Sequence, residues 1–322
     1  MHLRQRPLTK TAGLLAATTL LVAGCGGEGG SDAGGDGLSG DIIIDGSSTV
    51  APLSEAIAAM FQQENPDVRV SVGTSGTGGG FEKFCNGETA ISDASRQISD
   101  EERQACEQGG VRWDEITVAN DALSVVVNQA NPVTCVTTEQ LQAIYGPQAT
   151  ATRWSDVPQL EPPFDEQLQI FSPGADSGTF DYFTDAVNGD EGAQRSDGVN
   201  IVGEDDNATV TGVSGSPGGI GYFGYSYFSE NQDRLKALQI RNSDGECVGP
   251  TPEATQDGSY NPLGRQLYIY PSAQALERPE VAEFVNFYLD NVNEVAERVG
   301  FIGLTDEQLQ DARDKVSNLT AG

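Results

Sequence analysis

Short apolar runs alternate with amphipathic segments along the chain. Strands are indicated by apolar or alternating runs at 41–45, 68–72, 89–91, 116–119, 123–127 and 169–171. Helices are indicated by apolar positions at helical spacing over 54–63, 81–87, 137–144, 180–187, 279–299 and 305–316. Because strands that alternate with helices form parallel βαβ units, the pattern predicts an α/β fold.

Glycine, serine and threonine fill the loops that follow several of these strands. The loops are Gly46-Ser-Ser-Thr49, Gly73 to Gly80 and Asp176-Ser-Gly-Thr179, and Ala94-Ser-Arg96 follows a further strand. Each of the first three opens a predicted helix, so it offers backbone N–H groups, hydroxyl donors and glycines that let a ligand come close. Helix capping and turn formation would explain any one loop, but the recurrence favours a site for a small oxyanion. No Gly-Lys-Ser/Thr follows, which disfavours a nucleotide.

Length and charge narrow the classes of function. The chain has 322 residues, which is enough for two domains and a sizeable core. Its 48 acidic and 18 basic residues give a net charge of −30, which argues against broad binding to nucleic acid or to an anionic membrane. We therefore expect no nucleic-acid partner. An anion site remains compatible with this charge, because salt screens distant carboxylates over about 8 Å.

The start of the chain, residues 1–24, has the layout of a secretory signal peptide. Arg4, Arg6 and Lys10 precede an apolar run that is too short to span a membrane comfortably. This leader contains His2, the one histidine of the chain. We therefore expect a mature protein without imidazole, which excludes Ser-His-Asp hydrolases, Cys-His proteases and His-ligated metal enzymes.

The leader ends in Leu21-Val-Ala-Gly-Cys25, which resembles a bacterial lipobox. We expect Cys25 to be acylated, which makes the protein extracytoplasmic and lipid-anchored to the cell membrane. An ordinary signal peptide with an incidental cysteine is the alternative. Residues 25–40 are mostly Gly, Ser and Asp and predict a flexible tether.

Four cysteines remain after this processing, namely Cys85, Cys106, Cys135 and Cys247. An even number in an exported chain indicates two disulfides. Three pairings are possible, and we favour a local Cys85–Cys106 bond with a long-range Cys135–Cys247 bond. The cysteines form no Cys-x-x-Cys, so we expect neither a metal nor a cofactor.

Five segments of the mature chain form one ordered pattern, and they are Asp45–Pro52, Gly80–Cys85, Ile91–Arg96, Val118–Asn128 and Phe171–Phe180. Together they resemble the PstS-type phosphate-binding proteins of bacterial phosphate ABC importers. The resemblance implies a monomer with no enzyme activity. Such a protein captures inorganic phosphate and delivers it to the membrane permease of the transporter.

The resemblance also implies a type II periplasmic-binding-protein fold, in which two α/β lobes are joined by two crossover strands. Mapped onto this chain, lobe one comprises 41–123 and 266–322, and lobe two comprises 124–265. The crossovers fall near 121–128 and 265–270, and the ligand is held in the cleft between the lobes.

The phosphate contacts of the family can be carried over by position. They fall on Ser48 and Thr49, on Thr77 with Ser75 as the alternative, and on Ser177, Gly178 and Thr179. These are the ends of the loops that the residue pattern had already singled out.

The chain departs from the family pattern at two charged positions. Pro173 stands where the best-known members have an arginine, and Arg96 stands where they have an aspartate. We expect a relocation in which Arg96, next to Ser95 in the same site, supplies the guanidinium that forks onto phosphate. Asp176 would then accept the proton of the hydrogen phosphate ion and discriminate against sulfate. The alternatives are a structural salt bridge for Arg96 and helix N-capping for Asp176.

Three rival functions stay open at this point. The first is binding of another tetrahedral oxyanion, such as sulfate, molybdate or arsenate. The second is a secreted phosphoester hydrolase, against which the missing histidine and the lack of any Ser-x-x-Lys both count. The third is a sensor or adhesion protein that keeps the fold but has lost transport.

Overall fold

The structure is a computed structural model that describes residues 37–175, 177–203 and 205–321. The predicted signal peptide, the acylation of Cys25 and most of the predicted tether lie outside these residues. No helix in the described ranges is both long and apolar enough to cross a membrane.

Twelve strands and eleven helices are found in the described residues. The strands are β1 Gly40–Gly46, β2 Val68–Gly73, β3 Ile91–Ala94, β4 Ile116–Asn128, β5 Cys135–Val136, β6 Gln169–Ser172, β7 Val199–Ile201, β8 Gly219–Gly224, β9 Leu235–Ala237, β10 Gln239–Arg241, β11 Cys247–Val248 and β12 Gly264–Pro271. The helices are α1 Ala51–Glu64, α2 Gly76–Cys85, α3 Asp100–Gly109, α4 Thr138–Tyr145, α5 Gly178–Asn188, α6 Asp206–Ser214, α7 Tyr225–Glu230, α8 Pro252–Gln256, α9 Ala273–Leu276, α10 Pro279–Arg298 and α11 Asp306–Ala321.

Most strands join one mixed sheet with the order β2-β1-β3-β12-β4-β8-β6-β7, and β9 also pairs with β4. The pairs β1–β2 and β1–β3 are parallel, as are β6–β7 and β6–β8. Between these two parallel groups, β12 and β4 run antiparallel to each other. The arrangement confirms the predicted α/β fold, and β5, β10 and β11 form a separate small sheet.

The strands predicted at 116–119 and 123–127 are one strand, β4. Its residues from Ile116 to Val127 are all buried. Its first part pairs with β12 as far as Ala122, and its second part pairs with β8 from Leu123 onwards. A single strand therefore leaves one parallel group and enters the other, as a crossover strand does, while β12 lies between β3 and β4 and pairs with both.

The apolar core forms two large clusters. The first lies between α1 and α10, where the Phe61 and Phe284 rings meet edge to face with centroids 5.3 Å apart. The second surrounds Trp154 and the stacked rings of Phe183 and Tyr222, whose centroids are 3.8 Å apart. The first cluster draws on residues 42–119 and 267–316, and the second mainly on residues 122–263.

The glycine-rich segment at residues 73–80 was predicted to be a loop before a helix at 81–87, and this boundary is wrong. Helix α2 begins at Gly76 and includes the Gly78-Gly-Gly80 run. A Cβ atom on Gly80 would lie 2.5 Å from the Cα atom of Gly46. The glycine thus lets α2 lie against the end of β1, and this packing outweighs the low helix propensity of glycine.

Two smaller boundaries also differ from prediction. The strand expected at 89–91 lies at Ile91–Ala94, so its end falls directly before Ser95. Helix α1 begins at Ala51 rather than at Ser54, because Pro52 occupies the first turn, where a missing N–H removes no helical hydrogen bond.

Both favoured disulfide pairings are confirmed. Cys85–Cys106 joins the end of α2 to α3, and Cys135–Cys247 joins β5 to β11 in the small sheet.

Candidate functional site

The carboxyl ends of β1, β2 and β3 and the first residues of α5 surround a cavity of about 730 Å³. Of the predicted site residues, those that line it are Ser48, Thr49, Ser75, Thr77, Ser95, Arg96 and Gly178. Ser177 and Thr179 flank Gly178 but do not line the cavity, and Asp176 lies outside the described residues. Segments that are far apart in sequence are therefore brought to one place.

The first loop follows β1 and is fixed from beneath by β3. The backbone N–H of Ser47 donates to the backbone oxygen of Asp93 at 2.9 Å, and the N–H of Thr49 donates to Ser47 Oγ at 3.2 Å. A Cβ atom on Gly46 would lie 2.0 Å from that same Asp93 oxygen, so only glycine allows the approach. The side chain of Ser48 is exposed to the cavity and that of Thr49 is half-buried.

Beneath this loop, the side chain of Asp93 is completely buried. Neither of its carboxyl oxygens has a hydrogen-bond partner within the part of the chain that the structure describes. Burial raises the pKa of Asp93 to about 7; the nearby Ser54 hydroxyl opposes this shift, while the charges of Asp45 and Glu55 add to it. The carboxyl group therefore keeps its proton well above the pH at which an exposed aspartate loses it.

The loop after β2 is anchored by Asp45. The backbone N–H and the hydroxyl of Ser75 donate to Asp45 Oδ1 at 3.0 and 2.6 Å, and Lys83 Nζ lies 2.5 Å from Oδ2. Burial by itself would raise the pKa of Asp45, but the hydrogen bonds from Lys83 and Ser75 outweigh it and hold that pKa below its usual range. Because Ser75 already donates its one hydroxyl proton to Asp45, its side chain is a poor donor for an anion.

Thr77 and Ser95 form a hydroxyl pair on the cavity wall. Thr77 Oγ1 accepts the backbone N–H of Ser95 at 3.2 Å and lies 3.2 Å from Ser95 Oγ. An N–H bond to the threonine oxygen leaves its own proton free to point elsewhere. Thr77 can therefore donate to a ligand in the cavity.

Arg96 lines the cavity, but Glu102 holds its guanidinium. Its two Nη atoms each donate to one oxygen of Glu102 at 2.8 Å, and Nη1 also donates to the backbone oxygen of Gln97. The hydrogen bond to Glu102 raises the pKa of Arg96, and about half of the arginine side chain (49%) is exposed. Glu102 also caps α3 through Ser99. The two Nη atoms of Arg96 that were predicted to bind phosphate thus bind Glu102 instead, and the phosphate-binding role of Arg96 stays a prediction.

A second arginine, Arg265 on β12, reaches the cavity from the crossover strands. Its Nε donates to Asp121 Oδ2 at 3.1 Å and its Nη2 donates to Thr49 Oγ1 at 3.1 Å. Its guanidinium carbon lies 3.5 Å from the centroid of the Tyr182 ring. The side chains of Arg265 and Asp121 are only 16% and 12% exposed.

Helix α5 presents its first turn to the cavity. A Cβ atom on Gly178 would lie 3.1 Å from Thr49 Oγ1, so the start of α5 closely approaches the loop after β1. The first N–H groups of a helix have no partner within the helix and favour an anion.

Acidic groups also line the cavity, namely Asp181, Asp185 and Glu191. Burial raises the pKa of Asp181, the charge of Glu191 adds to this shift, and Arg265 opposes it. The site therefore combines neutral donors with arginines and carboxylates, rather than relying on excess positive charge.

Comparisons with known proteins identify the family to which this chain belongs. A family model for the PBP superfamily domain matches residues 31–292. The protein SphX of Synechococcus elongatus is 47% identical over 265 residues, which are 82% of this chain and 77% of that protein. The phosphate-binding protein PstS of Staphylococcus saprophyticus is 37% identical over 305 residues, which are 94% of this chain and 91% of that protein. The chain belongs to the PstS-type phosphate-binding proteins.

A solved structure of similar fold supports this membership. The crystal structure of a possible phosphate binding protein from Planctomyces limnophilus matches with a TM-score of 0.81 and 40% identity, over 88% of this chain and 99% of that one. The predicted two-lobed fold is thereby confirmed. Membership of a family of binding proteins also confirms the expectation that the chain is not an enzyme.

Sequence reasoning missed Arg265 as a site residue in this PstS-type chain. The residue stood at the start of the crossover predicted near 265–270, but no ligand contact was assigned to it. The signal available in the sequence was a basic residue at a predicted crossover in a chain with 18 basic and 48 acidic residues. What the sequence lacks is the register of β12 against β4, which sets Arg265 directly opposite Asp121.

Proposed function

We propose that this protein binds inorganic phosphate in the cavity at the strand ends and delivers it to the permease of an ABC importer. The observation that carries the proposal is the convergence of three separate loops on one cavity, represented by Thr49, Thr77 and Gly178. Each loop follows a strand and opens a helix, so each can offer backbone N–H groups at a helix start to an anion in the cavity.

The chemistry of the lining suits an oxyanion of phosphate size. Ser48, Thr49 and Thr77 offer hydroxyl protons, and the first turns of α2 and α5 add backbone N–H groups. Ser75, Ser95, Arg96, Ser177 and Thr179 complete the predicted ligand set, with Asp176 as the predicted acceptor of the phosphate proton. The similar PstS of Staphylococcus saprophyticus is a phosphate-binding protein and the similar Planctomyces limnophilus structure is of a possible phosphate binding protein, which favours phosphate over other oxyanions.

The two lobes would close over the ion. We place lobe one at 41–123 and 266–322 and lobe two at 124–265, and the division of the core into two clusters supports these boundaries. The close approach of Gly178 to Thr49 fits a closed cleft, because the two residues belong to different lobes.

The proposal places the protein outside the cytoplasm, anchored by a lipid on Cys25. Two disulfides support an oxidising compartment. A Cys25→Ser variant is expected to shift the protein from the membrane fraction to the soluble fraction. An unchanged membrane fraction would contradict lipid anchoring and leave phosphate binding unaffected.

Calorimetry on ligand-stripped mature protein tests phosphate binding. We expect one phosphate per chain, with no competition from sulfate at a hundredfold excess. Tighter binding of sulfate, molybdate or arsenate would replace phosphate as the ligand. Turnover of a phosphomonoester would support a hydrolase instead.

A further inference from the structure

The cavity holds two arginines whose surroundings differ in one decisive respect. Arg96 engages Glu102 with both Nη atoms and is half exposed. Arg265 engages Asp121 with Nε alone, and its side chain is 16% exposed. The outer edge of a guanidinium, formed by its two Nη atoms, is the edge that forks onto a carboxylate or a phosphate. That edge is occupied in Arg96 and largely open in Arg265.

The number of N–H groups left free for a ligand also favours Arg265 over Arg96. A guanidinium has five N–H groups, and Arg265 uses one on Asp121 and one on Thr49 among the described residues. The three that remain include both N–H groups of Nη1. Because Arg265 is more buried than Arg96, solvent screens its charge less.

The surrounding residues fix the plane and direction of this guanidinium. Asp121 holds the Nε side from the neighbouring strand, and the Tyr182 ring lies 3.5 Å from the guanidinium carbon. The hydroxyl of Tyr182 in turn donates to the backbone oxygen of Pro262 at 2.8 Å, which holds the ring. An arginine held on two sides loses little further freedom when it binds a ligand.

The contact with Thr49 connects Arg265 to the phosphate loop. Thr49 Oγ1 accepts from Arg265 Nη2 at 3.1 Å, so its own proton is free to donate to an anion. Arg265 therefore lies beside a hydroxyl that the family resemblance already assigns to phosphate.

We propose that Arg265 is the guanidinium that binds the anion in this site, and that Asp121 and Tyr182 position it. The inference rests on the proposed phosphate function and names the residue that takes the role predicted for Arg96. Because Arg265 lies on a crossover strand, it contacts both Tyr182 on α5 and Thr49 after β1, and it can therefore link ligand binding to closure.

The test is calorimetry with inorganic phosphate on ligand-stripped full mature chain. Arg265→Lys keeps the charge but loses the fork, and we expect affinity to fall about tenfold or more. Arg265→Gln combined with Asp121→Asn removes both charges of the pair, so no carboxylate is left unpaired, and we expect a loss of about 100-fold. Arg153→Gln is the matched control, because Arg153 pairs with Asp165 on an exposed surface away from the cavity, and we expect less than about a twofold change.

The outcomes separate the inference from the function on which it rests. If the wild type binds phosphate and both Arg265 variants bind as tightly, the inference is overturned while the function stands. It is equally overturned if Arg96→Gln loses more affinity than the double variant, because the fork would then belong to Arg96. If the wild type itself binds no phosphate, the proposed function fails and the inference fails with it. Thermal unfolding of each variant verifies that it is folded.

Discussion

Replacing Gly178 by alanine tests whether the close approach of α5 to the first loop is the binding-competent arrangement. The added Cβ atom would lie 3.1 Å from Thr49 Oγ1 and 3.7 Å from the Cα atom of Thr49. The first distance is tighter than most Cβ contacts, so one side has to move by a few tenths of an ångström. Thr49 cannot move freely, because its hydroxyl is held by Arg265.

The magnitude of this perturbation can be worked from the same contact. Adding one methyl group to a tightly packed site costs about 1–3 kcal/mol. A cost of about 1.4 kcal/mol, which lies within that range, corresponds to a tenfold loss of affinity if the cost falls on the closed state alone. Alanine is a better helix former than glycine, so the helix itself should not be weakened. We therefore expect Gly178→Ala to bind phosphate about tenfold more weakly.

Calorimetry measures the affinity, and thermal unfolding without phosphate verifies that folding is intact. Gly249→Ala is the matched control, because its added Cβ atom would lie no closer than 4.0 Å to the Cγ atom of Gln239. Unchanged affinity in Gly178→Ala would refute the idea that phosphate binds with α5 and Thr49 in contact. An equal loss in the control would show that the effect is not specific to the cleft.

Three further predictions follow from the groups around the site. The free energy of unfolding of the wild type should fall by about 2 kcal/mol between pH 5 and pH 7. The reason is that Asp93 keeps its proton up to about pH 7 in the folded protein, whereas it loses this proton near pH 4 in the unfolded chain. Urea unfolding of Asp93→Asn should lack this decline, and an equal decline in both proteins would contradict the buried carboxyl. Asp45→Asn should weaken phosphate binding about tenfold by releasing Ser75 and its loop, and wild-type affinity by calorimetry would exclude that anchoring role. Replacing Cys85 and Cys106 together by alanine should cost about 3 kcal/mol in urea unfolding, since the bond closes a loop with a sequence separation of 21, and unchanged stability would count against it.

The alternation of strands and helices was enough to predict the α/β class and the place of the hydroxyl loops. These features depend on local patterns, such as the apolar run at 41–45 and the Ser-Ser-Thr that follows it. Because the carboxyl ends of parallel strands lie at one edge of a sheet, loops that follow such strands come together. The two-lobed arrangement came from the family resemblance, since a discontinuous lobe leaves no trace in composition or periodicity.

The helical state of the Gly78-Gly-Gly80 run could not be predicted from local preference. Glycine disfavours a helix, and only the contact of Gly80 with Gly46 explains why the helix begins so early. The contact joins residues that are distant in sequence, so no window of the chain contains it.

The ion-pair partners of Arg96 and Arg265 could not be predicted from the sequence either. Arg96 was the reasonable candidate because it follows a strand and stands at a family position. Its pairing with Glu102 in the first turn of α3 and the pairing of Arg265 with Asp121 on the neighbouring strand both depend on the three-dimensional arrangement. Sequence reasoning can therefore name the loops that form an anion site more securely than the arginine that completes it.

A crystal structure of the mature protein with phosphate would show whether the ion binds where the three loops meet. We predict one tetrahedral ion in the cavity at the strand ends, within hydrogen-bond distance of Thr49 Oγ1, Thr77 Oγ1 and the first N–H groups of α5. A phosphate found instead in the larger cavity of about 1260 Å³ beside Arg241, with the strand-end cavity holding only water, would contradict it.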